Sequence, residues 1–377
     1  MIENTPSLTS IPVGRLLSQA IYTEGPLDAE VIVLGEAPGY QESLHGGAFI
    51  GPAGELLTQL LSNAGLNRGR CRFENVFQFH PDRDDLTPFI RFNNKGVAVH
   101  TEAFENAREQ LRLRLLATTA NVFIALGNVA LYTLTGMTGI LKRRGSIYPC
   151  ALVPGRKVVA SIHPSASLRF GSGPKFAEGQ RKRAVDPYVY RHWIQYDLLR
   201  AKNQAAFPEI RLPQRDLVLE PGFQQVLTYL EECLTLPMVS IDIEATRSLN
   251  SEATHVAVAK SATDCMCIPF VTRGTDYWTP DEEASIWIAI ATLLEDRRVV
   301  KIFQNAAFDV SFLHRRHGIV TQPIEDTMIA TAILFPDYPA GLDFLVSIYC
   351  SGEPYYKDDG KQWNAKAFGD EIQFRLY

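Results

Sequence analysis

Apolar runs and polar breaks alternate along the first two hundred residues with the rhythm of strands and helices. Residues 30–34 form an apolar, strand-like run that ends in Gly35-Glu36-Ala37-Pro38-Gly39, and a helical stretch follows over residues 53–65, stopping at Gly65. Three more strand signals come at residues 73–79, 121–126 and 157–162, separated by amphipathic stretches such as Glu102–Leu116. This alternation predicts a parallel α/β sheet covered on both faces.

The pattern changes after residue 205. A helical segment bearing Tyr and Trp runs over residues 184–202, and two prolines, Pro208 and Pro213, then break it. We expect a first domain over residues 1–205, a linker over 206–220 and a second domain over 221–377. In the second, a helix at residues 223–233 precedes strands at 238–244, 255–259 and 265–270; three strands in a row before the next helix predict a mixed sheet. Thr279-Pro280-Asp281-Glu282-Glu283 is a strong helix start, with a cap, a first-turn proline and acids that favour the helix dipole. A strand over residues 299–303 follows.

Composition narrows the class. Of 377 residues, 46% are hydrophobic and 21% charged, as in an ordinary globular chain with a sizeable core and too many residues for one typical domain. The net charge of −5 argues against a uniformly basic nucleic-acid wrapper, so local patches such as Lys142-Arg143-Arg144 and Arg181-Lys182-Arg183 carry more weight than the total. Six cysteines, without a CxxC pair or a histidine partner at finger spacing, offer no disulfide framework or structural zinc site. With neither a signal segment nor an apolar run of bilayer length, the chain reads as cytoplasmic, without a membrane partner.

Chemistry enters at Ile241-Asp242-Ile243-Glu244. Strand periodicity puts both carboxylates on one face and both isoleucines on the other, an arrangement that offers two hard ligands to a metal but also describes an ordinary alternating strand. Further on, Asn305 and Asp309 lie four apart at the start of a helix, hence on one helical face, while Phe308 and Phe312, equally spaced, read as core. D-x-E on one strand and N-x-x-x-D after another resemble the first two motifs of the DEDD 3′→5′ exonucleases of family A DNA polymerases. The resemblance continues through Glu325-Asp326-Thr327-Met328, Gly341-Leu342-Asp343-Phe344-Leu345 and the stretch from Glu353 to Lys361, with Asp326 explained by helix capping alone.

The resemblance implies a ribonuclease H-like fold and two Mg²⁺ (or Mn²⁺) ions, roughly 4 Å apart. Asp242 would bridge them, Glu244 would hold the one that activates water, and Asp309 would complete the other's shell. The family's third motif is Tyr-x-x-x-Asp. Tyr377, the last residue, fits its tyrosine, which orients the attacking water, so we expect further chain bearing the aspartate and a polymerase domain.

In the first domain, Glu36, Glu42, the stretch from Gly46 to Gly54, Glu74-Asn75-Val76, Leu126-Gly127, Arg144-Gly145 and the stretch from His163 to Arg169 occur in the order seen in uracil-DNA glycosylases of family 4. Glu36, Asn75, Gly127 and His163 fall at or near the C-terminal ends of predicted strands, the edge where open α/β sheets bind ligands. The resemblance implies that Phe49 stacks on an extruded uracil and Asn75 pairs with its edge. His163 would donate to the oxygen where charge develops, Glu42 would position or activate water, and Glu36 would order the loop. Family 4 enzymes usually carry an iron–sulfur cluster on four cysteines. Here Phe79 stands where one is expected and only Cys71 and Cys150 occur in the domain, so no cluster is expected.

The whole reads as part of a bacteriophage-type family A DNA polymerase, with uracil-containing DNA and single-stranded 3′ ends as partners. A phage origin would place it in the host cytoplasm. Two alternatives stay open: a first domain that binds uracil or DNA without excising, and a free-standing repair nuclease without a polymerase.

Overall fold

The structure, a computed structural model, describes residues 22–94, 96–168, 186–246, 252–272, 274–350 and 355. It divides into two compact units, Met1–Arg211 with Val346–Tyr355 and Leu212–Leu345 with Tyr356–Tyr377.

The first unit is organised by strands β1 (Val31–Gly35), β2 (Cys71–Asn75), β3 (Ile90–Phe92), β4 (Ala98–His100), β5 (Val122–Leu126), β6 (Ile147–Pro149) and β7 (Lys157–Ser161). Five of them form one sheet in the order β2-β1-β5-β7-β6. The first four run parallel, as the alternation predicts, and every residue of them is buried. On one face, Ile32, Leu34, Phe123, Ala125, Val158 and Ala160 pack with Leu111, Leu115, Leu131 and Leu134 from the helices Glu102–Leu116 and Asn128–Thr135. The helix Val189–Gln204 packs on β5, β7 and the helix Pro52–Asn63.

Two features escape the sequence pattern. The antiparallel edge strand β6 and the β3–β4 hairpin are three residues per strand, too short for a period to register.

The second unit has strands β8 (Asp216–Val218), β9 (Met238–Ala245), β10 (Ala253–Ala259), β11 (Asp264–Pro269), β12 (Val271–Thr272), β13 (Thr275–Asp276), β14 (Val300–Phe303) and β15 (Ile324–Asp326). Six make a mixed sheet, β15-β14-β9-β10-β11-β8, antiparallel only where β10 meets β9 and β11. Val239, Ile241 and Ile243 of β9 enter a core with Leu230, Ile286, Ile290, Phe312 and Leu313. Thr279 caps the helix Pro280–Glu295 through a reciprocal capping box with Glu282. Among the described residues no helix is long and apolar enough to cross a membrane.

Candidate functional sites

At the C-terminal edge of the first sheet lies a cavity of about 870 Å³, and Glu36, Glu42, Phe49, Asn75, Gly127 and His163 all line it. Each is delivered by a different stretch of chain. Asn75 ends β2 and is buried, with its backbone carbonyl held by Gln78 Nε2 at 3.2 Å and Arg114 Nη2 at 3.1 Å. Beneath it, Glu74 is fully buried between two guanidinium groups, Arg72 Nε and Nη2 on one oxygen and Arg114 Nε on the other. A buried carboxylate is tolerated only when paired in this way, and the pairing fixes the end of β2. Sequence reasoning missed Arg114, one of three arginines in an amphipathic helix.

Phe49 is buried and holds a φ of +54°. Its ring lies tilted at 30° to the His163 ring, centroids 6.1 Å apart, and 5.7 Å from Phe73. Gly35, at the end of β1, makes room for this meeting. A Cβ there would fall 2.6 Å from both Asn75 Oδ1 and Phe49 Cζ, so the amide and the ring share a space that only a glycine leaves open.

The two acids act differently on their surroundings. Glu42, nine-tenths buried on the helix Tyr40–His45, accepts through Oε1 from the Ile50 and Gly51 amides, at 2.8 and 3.0 Å. Glu36 Oε1 accepts from Val129 N at 3.4 Å, at the amino end of the helix Asn128–Thr135 where the dipole favours a negative charge. His163 receives the Ser165 backbone N–H on Nδ1 at 3.2 Å, with Ser165 Oγ at 2.8 Å. A nitrogen that accepts from an amide carries a lone pair, so the ring proton of the neutral tautomer sits on Nε2. Ser165 belongs to the stretch from His163 to Arg169 that carries the resemblance, but sequence reasoning assigns it no role; its two-residue offset from His163 is a turn signal, not a catalytic one.

Cys71 and Cys150 are both buried, and burial pushes the Cys71 thiol up to about 12 and raises that of Cys150. Phe79 packs at 5.4 Å from Phe77 and 5.1 Å from Phe89, in an aromatic cluster that includes Phe104. Two thiols that favour the protonated state, and an aromatic ring where a cysteine is expected, do not fit an iron–sulfur cluster. The basic patch at 142–144 is also not what its charges suggested. Arg144 is buried against Asp197 and Ser347 rather than exposed to a phosphate, while Arg181-Lys182-Arg183 lies outside the described residues.

The sequence comparisons give this cavity its context. Residues 22–184 match the Uracil DNA glycosylase superfamily. Over 169 residues the chain is 30% identical to a type-4 uracil-DNA glycosylase of Thermotoga maritima, spanning 44% of this chain and 81% of that one. It is 33% identical over 147 residues to the type-4 enzyme of Archaeoglobus fulgidus, 37% of this chain and 67% of that one. The chain belongs to the type-4 uracil-DNA glycosylase family. Beyond its glycosylase part, this family member carries a second match, to a 3′-5′ exonuclease family over residues 224–372. Among solved structures it is similar to Escherichia coli RNase D (15% identity, TM-score 0.30) and to Brucella melitensis NrnC with bound Mg²⁺ (21%, 0.26). These likenesses cover 44% and 36% of this chain, and 42% and 59% of those chains.

In the exonuclease part of this glycosylase relative, β9 alternates as its sequence dictates. Ile241 and Ile243 are buried, Asp242 is open on the opposite face and Glu244 half-buried beside it. Asp309, buried in the first turn of the helix Ala306–His317, reaches β9 and accepts from the Ile243 amide at 3.2 Å, between the two strand carboxylates. Burial first, then the charge of Asp242, then that of Glu244, pushes the Asp309 carboxyl up to about 7. The mass of protein around Asp242 raises its carboxyl too, although its face meets solvent.

Asn305 is not on the helical face shared with Asp309. It is the residue before the helix, with a φ of +65°, because the chain must turn sharply from β14 into the helix. Asp326 enforces that turn: its carboxylate accepts from the Asn305 and Ala306 amides at 3.2 and 2.8 Å, and from Met328 and Ile329 at the start of the helix Thr327–Leu334. The shared-core reading of Phe308 and Phe312 also fails, since Phe312 is buried and Phe308 is half exposed. A helix of 3.6 residues per turn rotates an i, i+4 pair by about 40°, enough to put one ring outside a narrow contact stripe.

Among the described residues no three His, Cys, Asp or Glu side chains form a ready-made metal cluster. The donors themselves are suited to a hard divalent cation: Asp242 and Glu244 lie close enough to Asp309 for their charges to raise its carboxyl, and carboxylate oxygens are hard ligands. Tyr377 lies outside the described residues, as does all of the stretch from Glu353 to Lys361 except residue 355.

Proposed function

We propose that this chain removes uracil from DNA with its first unit and trims 3′ ends with its second, as part of a DNA polymerase of the proofreading type. The observation that carries the first half is the convergence of Phe49, Asn75 and the Nε2–H tautomer of His163 on one cavity. An extruded uracil stacks on Phe49, and the Asn75 amide pairs with its edge. As the bond from C1′ to N1 breaks, the electron pair passes into the pyrimidine ring and charge gathers on a carbonyl oxygen, where His163 Nε2–H donates. Water supplies the new bond to C1′. Glu42 holds the Phe49 loop with Oε1 and presents Oε2 to that water, while Glu36 orders the helix start beside it.

In the second unit, Asp242, Glu244 and Asp309 are the residues that would hold two divalent ions, Mg²⁺ or Mn²⁺. Those ions would supply an activated water and neutralise the leaving 3′ oxygen. Asp326 keeps the Asp309 helix against β9 so that its carboxylate stays between the other two. Tyr377 orients the attacking water in this reading. The polymerase setting is supported by the likeness of the D-x-E, N-x-x-x-D and D-T-M segments to the proofreading exonucleases of family A polymerases.

The deciding experiment incubates the chain with single-stranded DNA containing one uracil and looks for alkali-labile abasic sites. Product is expected, and none at high enzyme concentration would favour a unit that binds uracil without excising it. A gene whose product lacks a polymerase domain would remove the polymerase setting alone.

A further inference from the structure

We propose that Arg68 is a positioning residue for the Phe49 platform, fixing its loop on the side opposite Glu42; the inference rests on the glycosylase reading above. Phe49 sits in the left-handed region, which a bulky side chain keeps only where its neighbours over-determine it. The residues after it are held by Glu42 through the Ile50 and Gly51 amides. The residue before it is held by Arg68, whose Nη2 donates to the Ala48 carbonyl at 2.8 Å.

The same guanidinium makes three further attachments. Nε and Nη2 take both oxygens of Glu24, at 3.2 and 2.8 Å, and Nη1 donates to Thr58 Oγ1 at 2.9 Å. Thr58 Oγ1 in turn donates to the Gly54 carbonyl, and Gly54 lies so close to Phe49 that a Cβ there would fall 1.8 Å from the Phe49 carbonyl oxygen. The guanidinium plane also lies 4.2 Å from the centroid of Phe73, the ring packed against Phe49. Arg68 therefore touches the platform's preceding residue, its backing ring and the helix turn beneath it. A planar fork of five donors meets these directions at once; a lysine ammonium does not.

The test uses the full chain with Arg68→Met and Arg68→Lys. A crystal structure of Arg68→Met is expected to show Phe49 out of the left-handed region, its ring withdrawn from Asn75; Phe49 unmoved would overturn the proposal. In single-turnover release of uracil from uracil-containing single-stranded DNA, both variants are expected to be about 10- to 100-fold slower, with DNA affinity within about twofold of wild type. Adding Arg68→Met to Phe49→Ala should cost less than about twofold more, because the ring it positions is already gone. An equal loss in both backgrounds would show that Arg68 acts elsewhere and sink the idea. Should Arg68→Met fold poorly, Arg68→Lys, which keeps the charge beside Glu24, must still show slowed release, and wild-type rates in it overturn the claim. A wild-type chain that releases no uracil overturns the glycosylase reading instead, and the position of Phe49 in the variant structures then decides the Arg68 proposal alone.

Discussion

The two sites solve opposite electrostatic problems. The glycosylase cavity is assembled from residues already held by hydrogen bonds: Glu42 holds two amides, Asn75 takes two donors on its backbone carbonyl, and His163 is fixed in one tautomer by Ser165. On the exonuclease face burial, and after it the charges of Asp242 and Glu244, push the Asp309 carboxyl up to about 7. A preorganised, hydrogen-bonded cavity is ready for an uncharged base, whereas a cluster of acids is unfavourable until a cation joins it. One site should therefore be indifferent to divalent metal and the other should depend on it for both activity and local stability.

The sharpest way to break that comparison is Asp242→Ala. In a chain extended past Tyr377, release of 3′ nucleotides in Mg²⁺ is expected to fall on the order of 10³-fold while uracil release stays at the wild-type rate. Undiminished exonuclease activity would remove Asp242 from the site, and a parallel loss of both activities would mean a folding defect. The complementary change, His163→Ala, should slow uracil release by roughly 10²–10³-fold without altering 3′ trimming, as expected when one donor to a developing oxyanion is lost. Adding a chelator should reproduce the first pattern and leave the second reaction running.

Stability separates the units next. Arg114→Met leaves the Glu74 carboxylate short of a partner in a dry interior and is expected to cost about 3 kcal/mol. Hydrogen exchange should show faster opening in peptides of the first unit only, and equal protection in the variant would show that the Arg72 pair alone suffices.

The smallest effect is in the second unit and depends on pH. Because the Asp309 carboxyl titrates above its ordinary value in the fold, its contribution to metal-free stability is complete at low pH and is lost as pH rises through about 7. Protection of the second unit without metal should fall by about 1–3 kcal/mol between pH 4 and pH 8, and Mg²⁺ should restore it more at pH 8 than at pH 5. Metal-free protection that rises over that interval would contradict the cluster.

Much of this was legible from local pattern. The alternation in Ile241-Asp242-Ile243-Glu244 fixes which side of β9 is core, because side chains on a strand change face at every residue. The buried parallel strands announced themselves as short apolar runs, and Thr279 with Glu282 announced a helix start. Where the local pattern misled, long-range packing had decided. Phe308 and Phe312 share a spacing but not their burial, and Asn305 belongs to a turn whose shape is set by Asp326, 21 residues away. Arg144 reads as surface charge beside Lys142 and Arg143 until Asp197, 53 residues on, draws it inside.

The sequence by itself determined the strand and helix order, the pairing of carboxylates on β9 and the short motifs that resemble glycosylases and exonucleases. All of these are set within a few residues, by periodicity and by turn chemistry. Only the tertiary structure decided which distant groups hold those motifs in working geometry. Ser165 selects a tautomer, Arg114 clamps Asn75, Gly35 opens the space where ring and amide meet, and Asp309 lands between two strand acids. Such contacts depend on where separate elements come to rest against one another, and no pattern within one element carries that information.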